Sequence, residues 1–276
     1  MRWIRFSTND TVQFGLLNDD DHVSPVRGDP FNGYEKTGQR LAFADVVLEV
    51  PVIPTTFYAA GMNYADHVLA MSRRTGVEAK LPTAADIGYR GNNALLAHGR
   101  DILVPADAGP RVQYEAELVV VIGKKAKGIE ESEVPGVILG YTIGNDVSER
   151  DWQKSDRTFW RCKNTDTFKP MGPWIETQFD PSGAKTSIRL NGALQHEFDT
   201  EAMIFGVSHF ISRMSRYLTL WPGDVIWMGT DGTSPDLQHG DVVDISISGL
   251  GSLRNRIIRV GHDRKALESP DKQEPR

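Results

Sequence analysis

Two glutamates one residue apart, running directly into an apolar stretch, are the side chains of this sequence best placed to do chemistry: Tyr114-Glu-Ala-Glu-Leu-Val-Val-Val-Ile-Gly123. Side chains alternate across a strand, so Glu115, Glu117, Val119 and Val121 share one face, and Tyr114, Ala116, Leu118, Val120 and Ile122 share the other. Both faces are largely apolar, which predicts a buried strand. Two carboxylates about 7 Å apart along such a strand repel unless positive charge sits between them. A divalent cation supplies that charge, and Gly140-Tyr-Thr-Ile-Gly-Asn-Asp146 reads as a second apolar strand delivering a third carboxylate, Asp146. An all-oxygen set of Glu115, Glu117 and Asp146 suits Mg²⁺, Mn²⁺ or Ca²⁺ rather than zinc and leaves room for water and a chelating ligand. The competing reading is a solvated edge strand whose Glu-x-Glu faces water. The apolar run from Leu118 to Ile122 argues against it.

Other reactive side chains have weaker local support. His67 falls in the first turns of a helix read over Asn63 to Met71, just past a strand at Thr56 to Gly61; such a histidine is structural as readily as catalytic. Ser148-Glu-Arg-Asp reads as a helix start capped by Ser148, with Arg150 and Gln153 on one face and within reach of the space before Asp146. Lys163, between Trp160 and Phe168, is either a solvated lysine or a partly buried one that adds positive charge for an oxyanion. Cys162 reads as a small packing residue, since nothing local identifies an activating histidine.

The remaining elements must hold these residues in place. Trp3, Ile4 and Phe6, then Val12, Phe14 and Leu16, alternate as two short strands around Asn9-Asp10, the start of a small β-rich segment over residues 1–54 that ends at Pro51 and Pro54. Leu41 to Leu48 fits a short helix or strand. Ser72 to Asp86 reads as a polar lid-like loop, Asp101 to Val104 as a strand, and Ile129 to Val134 as a surface turn or short helix. Thr186 to Leu190 meets Asn191-Gly192, a hairpin signal, and Met203 to Leu218 carries the one long helical periodicity. Val225 to Thr230, Val242 to Ile247 and Leu253 to Val260 complete a sheet, and residues 268–276 read as a disordered tail. A net charge of −6 and no basic stripe argue against nucleic acid. No apolar run of spanning length occurs, and a single cysteine fits a reducing compartment, so the expectation is a cytoplasmic protein without membrane partners. No glycine-rich phosphate motif joins a strand to a helix, and Gly229-Thr-Asp-Gly reads as a turn.

In order along the chain, Gly61-Met-Asn-Tyr-Ala-Asp-His67, Tyr114 to Gly123, Gly140 to Gln153, Lys163 to Phe168, and Pro222-Gly-Asp-Val-Ile with Gly229-Thr230 resemble the fumarylacetoacetate hydrolase superfamily. The resemblance spans most of the chain from residue 52, and the amino-terminal segment resembles the family's appendage. It implies a β-rich α+β fold, a mixed β-sandwich roll over residues 55–267 with the small β-rich domain in front of it, and a homodimer. It also implies Mg²⁺- or Mn²⁺-dependent C–C cleavage of a 2,4-dioxo acid of the acylpyruvate kind. On that resemblance Glu115, Glu117 and Asp146 hold the metal and His67 is the general base. Lys163 is the catalytic lysine beside the ion, and Arg150, Gln153 and Thr230 contact the oxo-acid substrate. One departure is informative: related hydrolases and decarboxylases carry a glutamate three residues after this histidine, and here the position is Ala70, leaving Asp66 or Glu78 as substitutes. Arg90 likewise stands where many relatives have a lysine. The missing glutamate favours the alternative of an isomerase or decarboxylase acting on 2-oxo or 2-hydroxydienoic acids in aromatic catabolism. A structural divalent-ion domain with no activity is the third reading, which the joint presence of His67, Lys163 and Arg150 opposes.

Overall fold

The apolar alternation of residues 114–122 is the axis of the fold. In the computed structural model, which describes residues 1–9 and 11–261, the strand Ala116–Ile122 is buried along its whole length. Its even-numbered side chains enter one core, which includes Ile143, Phe210, Ile226 and Ile245. Val119 and Val121 enter a second with Trp3, Met171, Ile175 and Trp227. A strand apolar on both faces thus separates two hydrophobic layers, as parity requires.

A 13-stranded mixed sheet is built on it. Antiparallel neighbours are Ile138–Asn145 on one side and Val225–Trp227 on the other, and the latter runs parallel to Phe57–Ala60, which pairs with Ile87–Tyr89. Beyond Ile138–Asn145 lies Lys169–Glu176, and there Arg2–Thr8, Thr11–Leu17 and His22–Asp29 extend the same sheet, so the small amino-terminal segment joins edge to edge. A second sheet of Asp101–Val104, Gly251–Arg259, Val242–Ile247, Lys185–Leu190 and Ala193–Asp199 packs against the first core. Helices are few: α1 (Ala65–Thr75), α2 (Arg150–Gln153) and α3 (Val207–Tyr217). The β-rich α+β expectation and its mixed roll are met.

Several local expectations change. The helical periodicity read from Met203 begins as helix only at Val207, and the polar stretch from Ser72 contributes the last turn of α1 before the irregular residues 76–86. Ser148 is not the cap of α2. It lies in the two-residue strand Ser148–Glu149 and gives its hydroxyl to the Asp146 carbonyl at 2.9 Å, while Glu149 caps the helix by accepting from Trp152 N. Leu41 to Leu48 holds both alternatives, two short strands around a 3-10 turn at Phe43–Asp45. The tail expected over 268–276 lies outside the described residues. Among the described residues no helix is long and apolar enough to cross a membrane.

Where sheet strands approach the second core, Gly144 lies against the Trp227 ring, and a Cβ there would sit 2.6 Å from the indole. Gly144→Ala should therefore lower stability by about 1–3 kcal/mol, the usual cost of overpacking. An unchanged urea midpoint would show that the ring moves freely and that this contact does not set the strand spacing.

Candidate metal and acid-base site

Strand register assembles the carboxylates. Ala116 pairs with Asn145 and Glu117 with Gly144, so Asp146, one step past the strand end, lies opposite Glu115 and donates its backbone N–H to the Glu115 carbonyl at 2.8 Å. Ligand oxygens of Glu115, Glu117 and Asp146 all lie within 4.8 Å of one another, and all three residues are buried. The sequence-based triad is therefore brought together as one acidic cluster of oxygen donors.

Four cations surround it. Lys163 Nζ bridges Glu115 Oε2 at 2.6 Å and Asp146 Oδ2 at 2.9 Å. Arg150 Nη2 lies 2.7 Å from Glu115 Oε1, Arg90 Nη2 2.9 Å from Asp146 Oδ2, and Lys169 Nζ 2.6 Å from Asp146 Oδ1. Lys169 is wholly buried, with the carbonyls of Val147 and Phe168 as its other acceptors at 2.9 Å. Burial alone would raise every carboxyl here, but Lys163 and Arg150 outweigh it at Glu115 and hold that group down at about 2. At Asp146 burial is outweighed by Arg90, Lys163 and Lys169, leaving it well below the ordinary carboxylate range. Glu117 goes the other way: burial, with Asp146 and Glu115 beside it, pushes it up to about 8. Among the described residues Glu117 is in no ion pair and is met by the Gly229 N–H at 2.7 Å. Lys169 is lowered to about 8 by its burial, against the pull of Asp146.

The substrate-facing candidates fall as follows. Arg150 gives Nε to Gln113 Oε1 and Nη1 to Gln153 Oε1, both at 2.9 Å, so the three-residue spacing on α2 does join Arg150 to Gln153. The guanidinium, held by Gln113 and Gln153, reaches Glu115 at 2.7 Å. Thr230 is almost fully buried beside Gly229 and lines, with His67, Glu115 and Arg150, a small cleft next to the acidic cluster. His67 is presented by α1, whose start is pinned by Asn63, bonded to Phe205 and Met228 carbonyls, and by the Tyr64 hydroxyl on the Thr200 carbonyl. Its Nδ1 lies 2.6 Å from the Gly232 carbonyl. A backbone carbonyl, rather than Asp66 or Glu78, is the hydrogen-bond partner of the ring; it fixes Nδ1 as the protonated nitrogen and leaves Nε2 as the proton acceptor. Phe168 is buried as expected near Lys163, whereas Trp160 is exposed. Cys162 packs in the core and its thiol is pushed up to about 11 by burial, which makes it inert.

Reading the sequence missed Lys169 as a site residue and gave Arg90 only as a departure. The signal for Lys169 was a lysine entering an apolar strand, Lys169–Glu176, where solvation is unavailable.

The donor set fits a divalent ion. Three buried carboxylate oxygens converge, and the one without a cation is pushed up by its burial and by the other two, which is the electrostatic state that an oxygen-liganded dication relieves.

The family model for the fumarylacetoacetate (FAA) hydrolase C-terminal region matches residues 56–258, and that for the Rv2993c-like N-terminal region matches residues 1–51. Protein Rv2993c of Mycobacterium tuberculosis is 36% identical over 270 residues, covering 95% of this chain and 99% of that protein. A mitochondrial oxaloacetate tautomerase, Fahd2a of Rattus norvegicus, is 31% identical over 88% of this chain and 83% of its own length. The crystal structure of a 5-carboxymethyl-2-hydroxymuconate delta-isomerase from Mycobacterium smegmatis superposes with a TM-score of 0.84 at 36% identity, covering 94% of this chain and all of that one.

Two measurements probe the cluster. Between the unfolded carboxyl value of 4.5 and about 8, folded Glu117 keeps a proton that the unfolded chain has lost. Stability of the metal-free protein from this group should therefore decline as pH rises through that window, and Mn²⁺ should bind more tightly with rising pH up to about 8 and level off above it. Titration calorimetry at several pH values reads this directly, and a flat affinity from pH 6 to 9 would count against a protonated Glu117. Separately, Lys169→Met leaves Asp146 Oδ1 and two buried carbonyls without their ammonium. It should cost about 3–5 kcal/mol in chemical denaturation, the range for breaking a buried ion pair by removing one partner.

Proposed function

The chain belongs to the fumarylacetoacetate hydrolase family, and from that premise we propose that it is a divalent-metal-dependent enzyme that moves a proton within an anionic 2-oxo acid or its enol, an isomerase or tautomerase. The charge balance supports the substrate class. Four cations against three carboxylates leave the bare site with positive charge, and a dication adds to it, so the ligand that completes the site is an acid with one or more carboxylates.

The observation that carries the reaction type is the Gly232 carbonyl on His67 Nδ1. Attack by water on a C–C bond asks the histidine to deprotonate water itself, and a carboxylate behind the ring makes it a stronger base for that task. A neutral carbonyl orients the ring and fixes its tautomer without adding negative charge. Such a histidine suits taking an acidic enol or α-carbon proton. Glu115, Glu117 and Asp146 would hold Mg²⁺ or Mn²⁺, and the ion when bound supplies Lewis-acid stabilisation of charge developing on a substrate oxygen. Lys163, between Glu115 and Asp146, keeps both carboxylates ionised and adds its own positive charge beside the developing oxyanion. Thr230 and Arg150 line the cleft in which the rest of the acid lies, and Gln153 holds the Arg150 fork. The relatives named for isomerisation and tautomerisation support this reading along nearly the whole chain. A homodimer is part of the same proposal, tested by light scattering.

Purified protein with Mn²⁺ should convert enol oxaloacetate to its keto form, or 5-carboxymethyl-2-hydroxymuconate to its isomer, with loss of enol absorbance and unchanged mass. His67→Gln should lower turnover by roughly 10²- to 10⁴-fold, the range for a general base, while Mn²⁺ affinity stays the same. Incorporation of one water into the product would instead establish hydrolysis, and loss of CO₂ decarboxylation.

A further inference from the structure

Besides His67, the same cleft is lined by His196 and Asp231, residues that the acidic cluster does not use. His196 is on the strand Ala193–Asp199, in the second sheet, with its ring stacked on Phe198 at a centroid distance of 5.5 Å. Its Nε2 lies 3.6 Å from Asp231 Oδ2, a carboxylate with a side chain only 9% exposed. Neither His196 Nε2 nor Asp231 Oδ1 has a hydrogen-bond partner among the described residues, and Ser234 Oγ in the same lining also has none. Buried polar atoms without partners are costly in a fold and recur where a ligand supplies the partner. Gly232 explains how the ring comes so close: its φ is +70°, and a Cβ there would sit 2.7 Å from His196 Nε2. The charged or titratable groups that share the cleft lining with His196 are His67, Tyr114, Glu115 and Arg150, besides Asp231 itself.

One loop therefore serves two histidines. Its Gly232 carbonyl orients His67 and its Asp231 carboxylate faces His196. A proton shift along a conjugated acid needs a group that removes a proton at one atom and a group that delivers one at another. A histidine oriented by a neutral carbonyl on Nδ1 suits the first task, and one whose Nε2 lacks a hydrogen-bond partner among the described residues and stands near a carboxylate suits the second.

We propose that His196, paired with Asp231, is the second proton carrier of this cleft, delivering a proton to substrate carbon. This rests on the isomerase or tautomerase reading. In the enol-to-keto direction His67 Nε2 takes the enol O–H proton and the oxygen pair becomes the carbonyl. The C=C pair then forms a C–H bond with the proton given up by the His196 imidazolium. His67 ends protonated and His196 neutral, and one proton passing from the first to the second through solvent restores the start.

The test uses 5-carboxymethyl-2-hydroxymuconate and enol oxaloacetate in D₂O with the Mn²⁺-loaded full-length protein, read by NMR for rate and for the face on which deuterium enters. The wild type should deuterate one face. His196→Gln should bind Mn²⁺ unchanged, lose roughly 10²- to 10⁴-fold in turnover, and give residual product deuterated on both faces, because the carbon is then protonated by solvent. Asp231→Asn should show the same loss of face selectivity with a smaller loss of rate, which covers the case in which His196→Gln fails to fold. Single-face deuteration retained in both variants, or an unchanged rate in His196→Gln, overturns the assignment while leaving the isomerase reading intact. A wild type that converts neither acid removes both.

Discussion

Three carboxylates and four cations share one buried pocket at the end of a central strand, and the rest of the structure depends on keeping those charges paired. Removing an ion from water costs several kcal/mol even after relaxation, so the four cations, Glu115 and Asp146 buried without mutual contact would exceed the whole stability of a domain. Short geometry is what offsets this. Lys163 bridges two carboxylates, Arg150 is held by two glutamine oxygens while it meets Glu115, and the Lys169 ammonium has two carbonyls as well as Asp146. Each cation arrives on a different element, so the strands, α2 and the loop before Lys169–Glu176 must all reach their final places before the charges balance.

The pairing is deliberately incomplete at one position. Glu115 and Asp146 are matched by cations, whereas Glu117 receives a backbone N–H and no ion pair. A site neutralised at every carboxylate would have no electrostatic reason to take up a metal. Leaving one carboxylate protonated creates the demand for an ion and couples its entry to release of a proton. Gly229, which supplies that N–H, starts the loop whose later residues reach His67 and His196, so Glu117 and both histidines are met by the same short stretch, residues 229–232.

How much of this was legible from sequence follows from what periodicity can carry. The alternation of residues 114–122 correctly divided side chains between two cores, and the short spacing of Glu115 and Glu117 with a second apolar strand ending on Asp146 led to the acidic cluster. Lys163 was readable as a partly buried lysine from its neighbours Trp160 and Phe168, of which Phe168 is buried. Long-range pairings were not: Lys169 becomes a site residue only because its strand lies beside Ile138–Asn145, and Arg90 only because, just past the strand Ile87–Tyr89, it reaches Asp146. The partner of His67 lay out of view for a similar reason. A backbone carbonyl has no residue identity, so Gly229-Thr-Asp-Gly read as a plain turn while supplying the Gly232 oxygen from 165 positions away. Ser148 failed as a cap because a bridge to Val112–Gln113 took its backbone into a strand first.

The absence of an acid at Ala70 then has a physical meaning beyond a missing residue. A carboxylate behind His67 would add a further negative charge to a pocket where burial and the neighbouring carboxylates already push Glu117 up to about 8. A neutral carbonyl gives the same orientation without that penalty. The acidic residue of that loop stands instead at Asp231, with its carboxylate 3.6 Å from His196 Nε2. Orientation and charge, which one glutamate would combine at a single histidine, are here divided between two residues of one loop: the Gly232 carbonyl orients His67 and the Asp231 carboxylate stands by His196.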